Sequence, residues 1–293
     1  MSRRRRGIAL VVVLWTVALL ATVTAMASSA ARTSAAVASN SRAQAVARAM
    51  AESGIVAATS MMDDSLRAYR GDATRRSAYL NRLGRPNAAT PARALVEDSL
   101  AEGAFAVAVV DVNARLDVNN AGADGLAMLF ATVTSPGVAR EMGARIDAAV
   151  RGDPFGRPDA IGGSATDADA AEMAQRASRD SLTAALLGRE NASPYRRPFE
   201  SLDELRALAG LDVRVLDAVA SSLTVDGDGR INRQSASAVI RAAASGSLVD
   251  APTRLLLVSR GWQRGHPLTR EIQAVYDVSD DGLRLVRWRE LDR

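Results

Sequence analysis

Arg3-Arg4-Arg5-Arg6-Gly7-Ile8-Ala9-Leu10-Val11-Val12-Val13-Leu14-Trp15-Thr16-Val17-Ala18-Leu19-Leu20-Ala21-Thr22-Val23-Thr24-Ala25-Met26-Ala27 is the stretch on which the reading of this chain turns. From Ile8 to Ala27 it holds no charge, no Gly and no Pro. Coiled as a helix rising about 1.5 Å per residue, that run spans roughly 30 Å, the thickness of a bilayer's hydrocarbon core. Four arginines precede it and only Arg32 follows closely, so the positive charge puts the start of the chain in the cytoplasm and its bulk outside. Three processing schemes compete. A secretory signal has an apolar region of about 7 to 15 residues and a small-residue cleavage site, for which Ala25-Met26-Ala27 would serve. An uncut anchor is the second. The third is a cut ahead of the apolar run, between Gly7 and Ile8, where a basic leader ends in glycine.

Outside this segment the charge is balanced: without the four arginines, the chain's 37 basic residues would fall to the number of its 33 acidic ones. A neutral remainder lacks the electrostatic footprint of a phosphate-binding domain. Absence of cysteine removes disulfides, thiol nucleophiles and Cys-ligated zinc. A chain of 293 residues that is 48% hydrophobic can bury a core. With only 4% aromatic residues, that core has to be built from Ala, Val and Leu, largely on helices.

The helix does not stop at the membrane. Alanine-rich sequence free of Gly and Pro continues from Ser28 to Glu52, and Val37, Ala45, Val46, Ala49, Met50, Ile55, Val56, Met61 and Met62 recur at helical spacing. One helix from Ile8 to about Leu66 would be on the order of 90 Å long. Its outer half must lay an apolar stripe on a head or a bundle to be stable in water. Beyond it, Asp72 to Pro91 reads as loop with one short helix. Ala104–Val112 and Leu116–Asn119 read as strands, as do Arg254–Ser259, Glu271–Val278 and Leu283–Arg289, the last two joined by an Asp280-Asp281-Gly282 turn. Strands at both ends with helices between imply an α+β head interrupted by a helical insertion.

The insertion shows a weak internal repeat. Val118-Asn119-Asn120-Ala121 leads to a turn at Pro136-Gly137-Val138-Ala139; Phe199-Glu200-Ser201-Leu202 leads to one at Ala209-Gly210-Leu211-Asp212; Ile231-Asn232 begins a shorter third copy. An Asn or Ser is expected to cap a helix in each. These units resemble the helix-hairpin-helix class, but the second glycine of a phosphate-binding turn is missing and Asp212 would repel phosphate, so they read as packing units.

Taken together, these residues resemble a known family. The Gly7/Ile8 junction is similar to the class III leader of type IV pilins and pseudopilins, and Ala47 to Ala58 resembles that group's Ala-Glu-x-Gly-hydrophobic stretch through Glu52 and Gly54. Most members carry Glu at the fifth mature position, which here is Val12; the K-type minor pseudopilins of type II secretion systems lack it. The order Asp111 to Asn119, Phe199 to Leu205, Leu223 to Val225 and Ile231-Asn232 is similar to that subfamily's. The resemblance implies a leader at 1–7, a transmembrane helix at 8–27 and its periplasmic continuation at 28–66. It further implies a pilin-like α/β head at 67–112, a helix-hairpin-helix or SAM-like insertion at 113–249 and closing strands at 250–293. Implied partners are the I- and J-type minor pseudopilins, the major pseudopilin fibre, the prepilin peptidase and the inner membrane, and the implied role is non-enzymatic.

Calcium is the one cofactor this resemblance raises, with Asp153, Asp159, Asp167, Asp169 and Glu172 as candidate ligands. Asp226-Gly227-Asp228-Gly229 resembles a fragment of a calcium loop but lacks its third ligand and bidentate Glu, and reads as a turn. His266, the sole histidine, sits in a Gly-His-Pro turn with nothing to orient it as a base. Rival functions are a minor pilin of a type IV pilus, distinguishable by its gene neighbours, and a membrane-tethered DNA-uptake protein, distinguishable by a salt-dependent shift of DNA.

Overall fold

The computed structural model describes residues 3–84, 95–100, 102–152, 198–208, 210–244 and 246–292. One helix, α1 (Arg3–Ala68), opens the chain and runs for about 100 Å at the usual rise. After it come α2 (Ala73–Leu83), β1 (Val96–Leu100), β2 (Gly103–Asp111), β3 (Leu116–Asp117), α3 (Gly122–Phe130), α4 (Pro136–Arg151), α5 (Leu202–Ala207) and α6 (Val213–Val219). Then follow β4 (Leu223–Thr224), β5 (Ile231–Asn232), α7 (Ala238–Ala243), β6 (Leu248–Val249), β7 (Arg254–Gln263), β8 (Thr269–Ser279) and β9 (Gly282–Asp292).

A five-stranded sheet in the order β1-β2-β7-β8-β9, antiparallel throughout, receives the second half of α1 on one face. The period-2 alternation of the strands puts Phe105, Val107, Val109, Leu255, Leu257, Ile272, Ala274 and Tyr276 beneath the helix. Since β2 pairs with β7, with Asp111 opposite Leu255, the chain leaves the sheet after Asp111 and re-enters at Arg254, next to its point of departure. The described residues between fold around a second core, centred on Leu116, Leu126, Phe130, Met142, Ile146, Leu205 and Leu223. Two short parallel ladders, β3 with β4 and β5 with β6, tie its segments together.

Small residues decide how α1 lies on the sheet. Those it buries are Ala43, Ala47, Ala51, Ile55, Ala58, Met62 and Leu66, spaced by three or four. Of the stripe expected from the larger side chains, only Ile55 and Met62 are fully buried; Val37, Val56 and Met61 are exposed. The physical reason is close approach. A Cβ on Gly261 of β7 would overlap the carbonyl oxygen of Ala47 and the amide nitrogen of Ala51, one on Gly54 would strike the Ser259 hydroxyl, Phe105 and Val107, and one on Gly103 would strike Met50. Bare backbone on the sheet and alanine on the helix bring the two into contact without large side chains between them.

Two further expectations are corrected, and one strand was not foreseen. The strand read at Leu116–Asn119 shrinks to two residues, because Asp117 turns its carboxylate to the backbone N–H of Asn119 (3.0 Å) and ends the extension. Pro136 and Gly137 do not form a turn between helices; Ser135 caps α4 and Pro136 occupies its first turn, where a missing N–H costs nothing. Strand β1 carries no legible signal, since Glu97, Asp98 and Ser99 lie on an exposed edge with no apolar alternation.

Candidate assembly surface and the seam behind it

From Val13 to Arg42 every residue of α1 is exposed, and the first half of that stretch is apolar: Trp15 is 70% exposed and Met26 68%. The helix is long and apolar enough to cross a membrane, and that stretch is bare of cover from the rest of the described chain. The apolar run's three threonines are already satisfied, the hydroxyls of Thr16, Thr22 and Thr24 donating to the carbonyls of Val13 (2.9 Å), Ala18 (2.8 Å) and Leu20 (2.8 Å). An apolar surround would therefore leave no donor of theirs orphaned. Past Ala27 the exposed face is Ala, Ser and Thr with Val37, Asn40, Arg32 and Arg42, and no carboxylate occurs before Glu52. Small side chains of this kind let another helix come close.

The head is held to this helix at a defined attitude. Arg42 grips Glu102 with two bonds (2.6 and 2.8 Å), Arg48 bridges Glu52 (3.0 Å) and Glu290 (3.5 Å), and Asp63 accepts the backbone N–H of Leu283 (3.0 Å). These are exposed pairs worth little each, but they orient an element whose adhesion comes from the apolar contact beneath.

A polar seam joins the insertion to the sheet. Asn113, just past β2, donates to Asp228 Oδ1 (2.8 Å) and the Arg230 carbonyl (3.0 Å) while its Oδ1 accepts the N–H groups of Thr253 and Arg254 (2.9 Å each). It thereby staples the exit and re-entry strands to one another. Asn232 donates to Asn81 Oδ1 (2.8 Å) and Asp111 Oδ2 (2.7 Å), reaching from the insertion to α2 and the end of β2. Asn119 exchanges bonds with the backbone of Phe199 (N–H at 2.8 Å, carbonyl at 3.0 Å) and donates to the Val225 carbonyl (3.2 Å). The repeat led to the expectation that an Asn or Ser caps a helix in each copy, and neither Asn119 nor Asn232 does so. Instead α3 has Ala121 at its N-cap position and no side-chain cap, and α7 is capped by Ser237. Of the residues quoted for the repeat, Ser201 does cap a helix, its hydroxyl accepting the Glu204 N–H. A signal existed: each of the three asparagines follows a buried Val or Ile, in Val112-Asn113, Val118-Asn119 and Ile231-Asn232.

Charge is buried in the same seam. Asp226 receives Arg287 (3.3 Å) and Arg289, which also donate to the Glu200 carbonyl (3.2 and 3.1 Å). Burial pushes the Asp111 carboxyl above the usual carboxylate range, with bonds from Ser235, Asn232 and the Asn113 N–H offsetting part of it. Asp117 is raised likewise by burial, against bonds from Asn120 and the Asn119 N–H and the charge of Arg254. Between the ordinary carboxylate value and the raised one, the folded chain holds protons that the unfolded chain has released, so these groups add stability as pH falls through that window. Urea unfolding of the native chain and Asp111→Asn, compared from neutral pH to about pH 5, should show the native chain gaining on the variant as pH drops. A native chain that loses ground instead contradicts the assignment.

Gly7, Ile8 and Val12 lie on the first turns of α1, whose helical backbone is continuous through the expected cleavage bond. Asp153, Asp159, Asp167, Asp169 and Glu172 fall outside the described residues. Among the described residues no group of three or more His, Asp or Glu is placed to hold a metal ion. His266 lies in the loop between β7 and β8, its Nδ1 accepting the N–H of Leu268 (3.4 Å).

No protein-family model matches the sequence, and no curated protein matches it. Among solved structures it is similar to a chain in the crystal structure of the GspK-GspI-GspJ complex from the enterotoxigenic Escherichia coli Type 2 Secretion System. The two are 11% identical with a TM-score of 0.46, over 78% of this chain and 97% of that one.

Proposed function

We propose that this chain is a non-enzymatic assembly subunit, a K-type minor pseudopilin of a type II secretion system. The observation that carries the reading is the division of α1: from Ala43 onward it is fused to the head's sheet, and from Val13 to Arg42 it stands bare, apolar first and small-residued after. A helix half that its own chain leaves uncovered is suited to two surroundings in succession, the bilayer before assembly and other subunits' helices after it. Leader removal between Gly7 and Ile8 by a prepilin peptidase would free the apolar end for that transfer. Val12 in place of a carboxylate suits a subunit with no neighbour above it, because an unpaired carboxylate in hydrocarbon is costly. The expected partners are I- and J-type minor pseudopilins beside it and the major pseudopilin fibre below, with the head on the periplasmic face of the inner membrane.

Mass spectrometry of the subunit purified from its native membrane is the test. A mature chain beginning at Ile8 is the expected result; one beginning near Ser28, or retaining Met1, overturns the proposal.

A further inference from the structure

We propose that the outer edge of β9 is the docking site for an extended segment of another chain, one that alternates apolar and acidic side chains. The two edges of the sheet are not alike. Strand β1 is five residues long and carries Glu97 and Asp98, the short, charged kind of edge that resists pairing. Strand β9 has eleven residues, and no strand among the described residues lies beyond it, so the backbone groups on its outer side join no ladder. A bulge leaves Val286 without an opposite residue on β8 and divides this edge; the longer run, 287–292, has the length of an ordinary strand. Opposite positions of a ladder share a face, which assigns the two sides of β9. Leu285, opposite Tyr276, and Trp288, opposite Ala274, lie on the α1 side, because Tyr276 and Ala274 belong to the core beneath that helix. Both are left half bare, at 50% and 42% exposure. Val56, 66% exposed, borders them from α1: it lies four residues after Glu52 and seven before Asp63, on the flank whose Arg48 and Asp63 reach Glu290 and the Leu283 N–H of β9.

The other side of β9 is basic. Arg284, Arg287 and Arg289 stand opposite Asp277, Val275 and Gln273. Arg287 and Arg289 turn to Asp226, whereas Arg284, bonded to Asp277 (2.8 Å), is 78% exposed. Opposite charges on neighbouring strands attract and like charges repel, so the added segment has to present acid toward the arginines and apolar residues toward Leu285 and Trp288. The chain's own edges do not meet that requirement. A second β9, in a continuous sheet with its helix on the same side, would set arginine beside arginine. The β1 of a second copy would turn Asp98, which stands opposite Phe105, to the apolar side and desolvate its carboxylate. The occupant is accordingly a segment of a different chain.

The test is binding of labelled peptides of about eight residues to the full chain in detergent, read by fluorescence anisotropy and hydrogen exchange, with empty micelles as the blank. A peptide alternating valine and glutamate is expected to bind about tenfold more tightly than one alternating valine and lysine. It should also slow amide exchange across 282–292 while that of 95–100 stays unchanged. The same peptide with every amide N-methylated keeps its side chains but has no donor for the edge, and should bind about tenfold more weakly or worse. Trp288→Ala should weaken the valine-glutamate peptide about fivefold, and Arg284→Gln should narrow its preference over the lysine peptide about threefold. In Arg284→Gln, Asp277 keeps Arg254, whose Nε donates to it (2.7 Å) while Nη1 fastens the carbonyls of Asp226 and Gly227 (3.0 and 2.9 Å). The proposal is overturned if the two peptides bind alike or not at all, or if the N-methylated peptide matches its parent. It is overturned equally if exchange across 282–292 slows in the chain alone as its concentration is raised, which would make a second copy the occupant. The peptide comparisons use the native chain, so they decide even where a variant fails to fold. None of these outcomes depends on where the leader is cut or on which helices α1 packs against.

Discussion

Gly261→Val should destabilise the head by about 3 kcal/mol or more, the upper end of what overpacking a core costs. The added side chain would have to occupy space now held by the Ala47 carbonyl and the Ala51 amide, which are backbone atoms of a helix and cannot rotate aside. Relief would require lifting α1 off β7, losing contacts along the whole row from Ala43 to Leu66. Thermal unfolding of the purified chain, with Gly265→Val as control, is the measurement. Gly265 lies in the open loop beyond β7 with nothing near its missing Cβ, though its positive φ of 74° will itself cost a β-branched residue something. If Gly261→Val is no worse than that control, the helix does not rest on the sheet as described.

Asp226→Ala should cost about 3 kcal/mol, because it strips the shared carboxylate from Arg287 and Arg289 and leaves two guanidinium groups facing each other at the edge of a buried seam. Arg115 adds to the penalty. Burial pushes its guanidinium pKa down, and the charges of Asp111 and Asp226 are what counter that. The loss should be concentrated in the insertion, seen as rapid proteolysis within 198–249 while the α1 contact with β2, β7 and β8 endures. Uniform loss across both cores would mean that the two unfold as one unit, and would refute a separable insertion.

Much of the fold was legible in local sequence. Twenty uncharged residues between Ile8 and Ala27 can hardly be read except as an apolar helix. The Val- and Leu-rich runs Ala104–Val112 and Arg254–Ser259 announce strands; in the structure the first is shifted one residue toward the N-terminus and the second continues to Gln263. The hairpin expected at Asp280-Asp281-Gly282 is present, with Gly282 at a φ of 128° that a β-carbon disfavours. By contrast, the stripe on α1 was sought among valines and methionines and found among alanines. Hydrophobic size marks what water rejects, whereas helix-to-sheet distance is set by which residues have no bulk at all. The seam was hidden for a related reason. Asn113, Asn119 and Asn232 obtain their meaning from Asp228, Phe199 and Asp111, which lie 115, 80 and 121 residues away.

By itself the sequence determined most of the elements, the apolar helix behind the four leading arginines and the interruption of an α/β head by a helical stretch, because each rests on propensity or periodicity read over neighbouring residues. The tertiary structure alone decided which face of α1 is buried, where it becomes bare, and that Arg254 and Asp226 are fastenings between the insertion and the sheet. Those properties belong to pairs of atoms brought together from distant parts of the chain, and desolvation and hydrogen-bond geometry act on such pairs only after the backbone has closed around them.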